Sequence, residues 1–118
     1  MIARTMDEGE SGIYRADLAD ILGAIPVLTD LRLTLYDEKT GTIINGRDHQ
    51  SVLNANDVTY DPATGRVTWE IRTADNALVD STRPSETHIA QFVATYNAAP
   101  ARQKPWQVVI WTRNLVKV

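Results

Sequence analysis

The chain has 118 residues, of which 43% are hydrophobic and 23% charged, with a formal net charge of −3. This length suits one domain that buries about two thirds of its unfolded surface without staples. The acidic balance gives no footprint for nucleic acid or an anionic membrane surface. The lack of cysteine excludes disulfides, thiolate metal sites and thiol nucleophiles.

Residues 1–12 are polar and hold Gly9 and Gly12, so they read as a flexible or partner-ordered arm ahead of a single domain over 13–118. The first ten residues are acidic with no apolar core, unlike a signal peptide, and no apolar run reaches the length of a membrane span. From Tyr14 to Leu22, Tyr14, Leu18, Ile21 and Leu22 share one face at helical spacing. Gly23 is placed as a stop and Pro26 limits continuation. This short helix either caps the core or docks a partner. Val27–Tyr36 alternates Leu31, Leu33 and Leu35 against Arg32, Thr34 and Tyr36, the period of a strand.

Asp37–Gly41 and Asp61–Gly65 both read Asp-x-x-Thr-Gly, a turn chemistry in which Asp opens and Gly accepts a left-handed φ. Thr42–Ile44 is expected as a short strand. Asn45-Gly46 is a strong hairpin signal leading into Arg47–Leu53. The clearest element is the hairpin Asp57–Arg72, with Val67, Trp69 and Ile71 on its dry face and Arg66, Thr68, Glu70 and Arg72 on its wet one. Thr73–Glu86 reads as a long loop, with room for a short strand, of a length that more often serves function or a partner. Thr87–Tyr96 is apolar on both faces and reads as a central strand. Asn97–Lys104 is a loop, and Trp106–Arg113 is the last strand. Its Trp106 and Trp111 fall on opposite faces, so at least one requires a cover outside the core: a loop, a second sheet or a partner.

Six or seven short strands with regular turn signals predict a mainly β protein, an antiparallel immunoglobulin-like β-sandwich with an N-terminal arm and room for one short helix. No catalytic motif stands out. His49 and His88 are the only histidines, and no cysteine is present to complete a metal cluster. Asp37, Glu38, Asp61, Asp75 and Asp80 lie in turns without calcium-loop spacing, where aspartate more often caps its own backbone. The reading is therefore non-enzymatic, with no catalytic, cofactor-binding or metal residue and no cofactor. Partner contacts are expected at Tyr14, Leu18, Trp106, Trp111, Leu115 and Val118, the apolar and aromatic residues of the helix-like stretch, the last strand and the C-terminus.

Several stretches together resemble small immunoglobulin-like proteins from the virion-structure modules of tailed bacteriophages and prophages. They are Leu33-Thr34-Leu35-Tyr36-Asp37, Ile44-Asn45-Gly46-Arg47, Val52-Leu53-Asn54-Ala55-Asn56 and Gly65-Arg66-Val67-Thr68-Trp69. The later His88-Ile89-Ala90-Gln91-Phe92, Thr95-Tyr96 and Arg113-Asn114-Leu115-Val116-Lys117-Val118 also fit, so the resemblance spans residues 31–118. It implies a virion component made in the bacterial cytoplasm. Such a protein would be multimeric in the particle and bind capsid or head–tail subunits, as capsid decoration or at the head–tail junction. The competing reading is an independent module that binds carbohydrate or peptide through its loops, over 75–86 and 97–104, and a hydrolase on a β-scaffold comes third.

Overall fold

The structure, a computed structural model, describes residues 2–97 and 101–115, with the backbone alone for Ile2 and Ala3. Among these residues eight strands and two short helical turns follow in order. They are β1 (Ile2–Asp7), β2 (Gly12–Asp17), α1 (Leu18–Leu22), β3 (Leu28–Asp37), β4 (Gln50–Ser51), β5 (Val58–Asp61), β6 (Arg66–Ile71), a 3-10 turn (Thr73–Asn76), β7 (Ser85–Tyr96) and β8 (Arg102–Arg113). The strands form two sheets, in the orders β1-β8-β7-β3-β4 and β2-β6-β5. The protein is mainly β, and its two sheets share one core.

The turn residues act where their chemistry predicts. Gly41 N donates to Asp37 O at 2.7 Å and Gly65 N to Asp61 O at 2.8 Å. The two glycines have φ of 75° and 76°, the left-handed region that glycine enters without a Cβ clash. The repeated Asp-x-x-Thr-Gly is thus one turn used twice. Asn45 and Gly46 both take positive φ, and Arg47 N closes their turn on Ile44 O at 3.2 Å. The strands expected around that turn shrink to an isolated Tyr36–Ile43 bridge and the two residues of β4. Arg47 leaves the strand pattern because its side chain is buried among polar partners, described below.

Side chains alternate as the strand period requires. Leu31, Leu33 and Leu35 of β3, Ala90, Phe92 and Ala94 of β7, and Val108 and Ile110 of β8 are buried on the inner face of the larger sheet. Tyr14, Val67, Trp69, Ile71, Val58 and Tyr60 answer from the smaller sheet. Phe92 is the centre. It stacks on Trp106 at 5.0 Å and on Tyr14 at 6.0 Å, and meets the edge of Trp69 at 5.8 Å. Each such ring contributes its apolar burial plus about 0.5–1.5 kcal/mol per well-placed aromatic pair.

Four expectations need correction. Residues 2–7, read as part of an arm, are a strand that runs parallel to Val108–Arg113. Its partner lies at the far end of the chain, so local composition carried no sign of it. Met6, 1% exposed, anchors it from below, and Asp7 pairs with Arg113 at 2.6 Å. Gly12 permits the tight crossing from one sheet to the other, since a Cβ there would stand 3.1 Å from Met6 Cε. The helix-like pattern of Tyr14–Leu22 splits: Tyr14 belongs to β2, and α1 is five residues ended by Gly23 at φ 81°. A five-residue helix is too short to be stable alone, so strand pairing with β6 prevails at Tyr14. The long loop contains a 3-10 turn rather than a strand, and β8 begins at Arg102, four residues earlier than its apolar run suggested. Its early residues are polar and are recruited by pairing with β7, whose Tyr96 faces Arg102. The middle of the expected 97–104 loop lies outside the described residues.

Candidate functional site

Three regions hold the residues with chemistry to offer: a buried polar end of the core, a groove between the sheets, and the outer sheet faces. At the polar end, ligand atoms of Asp37, Glu86 and His88 lie within 4.8 Å of one another, all buried. The place a cation would take there is filled by Arg83, whose guanidinium reaches Asp37 at 3.2 Å and Glu86 at 3.1 Å. Glu86 also accepts from the backbone N–H groups of Val79 (2.8 Å) and Asp80 (2.7 Å), and meets His88 Nε2 at 2.7 Å. His88 Nδ1 lies 3.3 Å from Thr112 Oγ1, which in turn donates to Asn76. Burial pushes the Asp37 carboxyl up, but hydrogen bonds from Thr40 and Arg83 outweigh it and hold the group below its usual value.

A second buried knot surrounds Arg47. Its Nε donates to Asp75 at 2.6 Å, and its NH2 donates to Asp75 at 3.2 Å and Asp57 at 3.1 Å. The same Asp75 accepts from Asn45 (2.9 Å) and from Arg72 N (2.8 Å). Asn76 donates to Glu10 O at 2.6 Å, and Asn114 donates to the carbonyls of Ser81 and Arg83. These groups tie the 73–86 loop to the body of the fold, so the chain's own side chains order that loop. Turn carboxylates do cap backbone, as expected: Asp61 accepts from Ala63 N, and Asp80 from Thr82 N and Oγ1.

A groove of about 590 Å³ opens beside β2 and the first half of β8, lined by Tyr14, Ala16, Ile21, Lys104, Trp106 and others. Trp106 Nε1 donates to Tyr14 Oη at 3.0 Å. Burial raises the Tyr14 phenol and the Trp106 contact partly opposes that rise.

The outer faces differ sharply in charge. Over the smaller sheet, Asp17–Arg66 (2.9 Å), Arg72–Asp57 (3.0 Å) and Arg72–Glu70 (2.9 Å) form exposed ion pairs, with Arg15 alongside. Arg66 joins Asp17 from the opposing strand, and that hydrogen bond lowers the carboxyl. Over the larger sheet, three cross-strand rows are uncharged where they cross β8 and β7. One is Thr5–Trp111–Thr87, the next Val109–Ile89–Tyr36–Ile43, the third Gln107–Gln91–Thr34. Charge resumes around them, with Arg113–Asp7 at one end, Arg32–Asp30 at the other, where Arg32 faces Val93, and exposed Glu38 beside Thr87. Trp111 is 46% exposed here, whereas Ile89 is 4% exposed without belonging to the inner core. Its neighbours on the outer face cover it.

The six residues expected to meet partners separate accordingly. Tyr14 and Leu18 are buried and belong to the core. Trp106 is half-buried and faces inward, covered by Tyr14 of the second sheet. Trp111 and Leu115 (57% exposed) are on the surface. Val118 lies outside the described residues. The uncharged rows were not found as a unit, because strand pairing assembles them from residues far apart. Their signal was nevertheless present in Thr87, Ile89, Gln91 and Val93, and in Gln107, Val109 and Trp111: alternate positions free of charge.

No protein-family model matches the chain, and no curated protein matches it either.

Proposed function

We propose that the chain is a non-enzymatic, immunoglobulin-like structural protein that binds other protein subunits through the uncharged outer face of its larger sheet. Its setting is the virion of a tailed bacteriophage, as capsid decoration or at the head–tail junction, after synthesis in the host cytoplasm. The observation that carries the binding role is the contrast between the two outer faces. Interface centres are depleted of charge and enriched in aromatics relative to the rest of a surface, and the rows around Trp111 and Tyr36 have that composition. The buried ionisable groups near His88 and Arg47 are engaged in holding loops, which favours a structural reading over acid–base chemistry.

The strand order supports the immunoglobulin-like part. The neighbours β8-β7-β3 and β2-β6-β5 parallel the GFC and BED groupings of that fold, with β4 as an added edge strand. Two departures stand beside it: β1 lies against β8, and the core tryptophan Trp69 lies on β6 instead of the strand equivalent to β3. The virion setting rests on the sequence resemblance over residues 31–118. A second reading, a module for an extended peptide or a carbohydrate, is favoured by the groove at Trp106 rather than by the loops.

Mass spectrometry of tailed particles purified from the host that carries the gene tests the setting. The chain is expected at a fixed stoichiometry to the capsid or tail proteins, and its absence from washed particles refutes it. Incorporation of Trp111→Glu tests the surface: the variant is expected to be lost from particles, and incorporation equal to the unaltered chain removes the face from the account.

A further inference from the structure

We infer that Asn45-Gly46 is a self-modification site, where the chain converts the Asn45 amide to a carboxylate and the new charge loosens the Arg47 knot. The inference goes beyond the subunit-binding reading and does not depend on it. The reaction needs only the chain and water. The Gly46 backbone nitrogen attacks the side-chain carbonyl carbon of Asn45 and forms a new C–N bond. The Cγ–Nδ2 bond of Asn45 breaks, and Nδ2 leaves as ammonia with the proton that the Gly46 amide gives up. Water then opens the cyclic imide at either carbonyl. The product is an aspartate side chain, or a backbone lengthened by the side-chain methylene.

Sequence and structure single out this asparagine among the six in the chain. It alone precedes glycine, which leaves the attacking nitrogen without a side chain beside it. Both residues are exposed, and a Cβ built on Gly46 would meet nothing within 4 Å. Among the described residues the Gly46 N–H has no hydrogen-bond partner, because the bond that closes the turn comes from Arg47 N. The restraint on Asn45 is its contact with Asp75, where Nδ2 donates to Oδ1 at 2.9 Å. Attack requires the side chain to swing back over its own peptide, so the reaction runs in chains whose contact has opened. A carboxylate at this position cannot remake that contact, since it offers no N–H. It also sets like charge beside the Asp75 carboxylate that grips Arg47 Nε at 2.6 Å. Modification thus turns a transient opening of the knot into a lasting one.

Peptide mapping by mass spectrometry tests the site, on the purified chain held at mildly alkaline pH and sampled over time. Asn45 is expected to show the amide-to-acid mass shift faster than any other asparagine of the folded chain, and more slowly than it does in urea. The modified fraction carries added negative charge and separates by anion exchange. It should unfold at a lower urea midpoint than the parent and exchange amide hydrogens faster over residues 73–86, with β3 unchanged. Two variants separate the charge from the lost contact. Asn45→Gly accepts the positive φ and has no amide to lose, so it should resist modification and unfold at a higher midpoint than Asn45→Asp. An Asn45 that stays intact in the folded chain while the unfolded chain loses its amide overturns the inference, as does conversion no faster than at another asparagine. A modified fraction with the parent's midpoint and exchange overturns it too, and so do equal midpoints for Asn45→Gly and Asn45→Asp.

Discussion

Removing Asp75 tests whether the long loop is held by the Arg47 knot. Asp75 is fully buried and accepts four hydrogen bonds: two from Arg47, one from Asn45 Nδ2 and one from Arg72 N. Asp75→Ala strands a guanidinium that is itself only 2% exposed. Loss of one partner from a buried ion pair costs about 3–5 kcal/mol. Here Asp57, Asn56 O and Gln50 still hold Arg47, at 3.1, 2.9 and 2.8 Å, which places the expected cost near the lower end, about 3 kcal/mol. For a domain of this length that corresponds to a drop in melting temperature of roughly 10 °C. Urea unfolding of Asp75→Ala, Arg47→Met and the double variant completes a cycle. The double variant is expected to be less damaged than the sum of the singles by at least about 1.5 kcal/mol, because it leaves no charge unpaired. A loss below about 1 kcal/mol for Asp75→Ala, with an unchanged urea slope, would refute the reasoning.

Three further outcomes follow from other contacts. Phe92→Ala should cost about 3–5 kcal/mol by chemical denaturation, since it removes the ring that Tyr14, Trp69 and Trp106 share. Asp37 is held below 3.8 in the folded chain, so its contribution is fully present above the unfolded value and is lost as pH falls through the folded one. Stability measured from pH 6 down to pH 2 should therefore fall less steeply in Asp37→Asn than in the parent, and parallel curves would contradict this. Gly65→Ala places a Cβ at φ 76° and 3.4 Å from Ala19 N, and a thermal melt should register a loss of about 1–2 kcal/mol.

Much of the fold was legible where the signal was local. The hairpin over 57–72, β3, and the strands around Phe92 and Val108 follow from alternation, and the positive φ of Asn45, Gly46 and Gly65 follows from turn chemistry. What the sequence concealed depends on partners distant along the chain. β1 is a strand because β8 offers an edge more than a hundred residues later. Tyr14 is a strand residue because Trp69 pairs with it, although its spacing to Leu18 and Ile21 is helical. The same cause hid the surface. Gln91, Gln107 and Thr34 carry no distinction in sequence and become a charge-free row only when three strands align. Alternation names Trp106 and Trp111 together, because tryptophans on opposite faces of one strand cannot both enter the core, and only the pairing of the sheets leaves Trp111 as the exposed one.

The central claim, that the face around Trp111 is covered when the protein does its work, has a direct readout in fluorine NMR of the chain labelled with 5-fluorotryptophan. Three signals are expected, from Trp69, Trp106 and Trp111. At low concentration the Trp111 signal should show a solvent isotope shift, in keeping with its 46% exposure, while the fully buried Trp69 shows none. On incorporation into particles the account predicts that Trp111 loses that shift and moves, with Trp69 unchanged. A Trp111 signal that keeps its full solvent shift in the assembled state would contradict it.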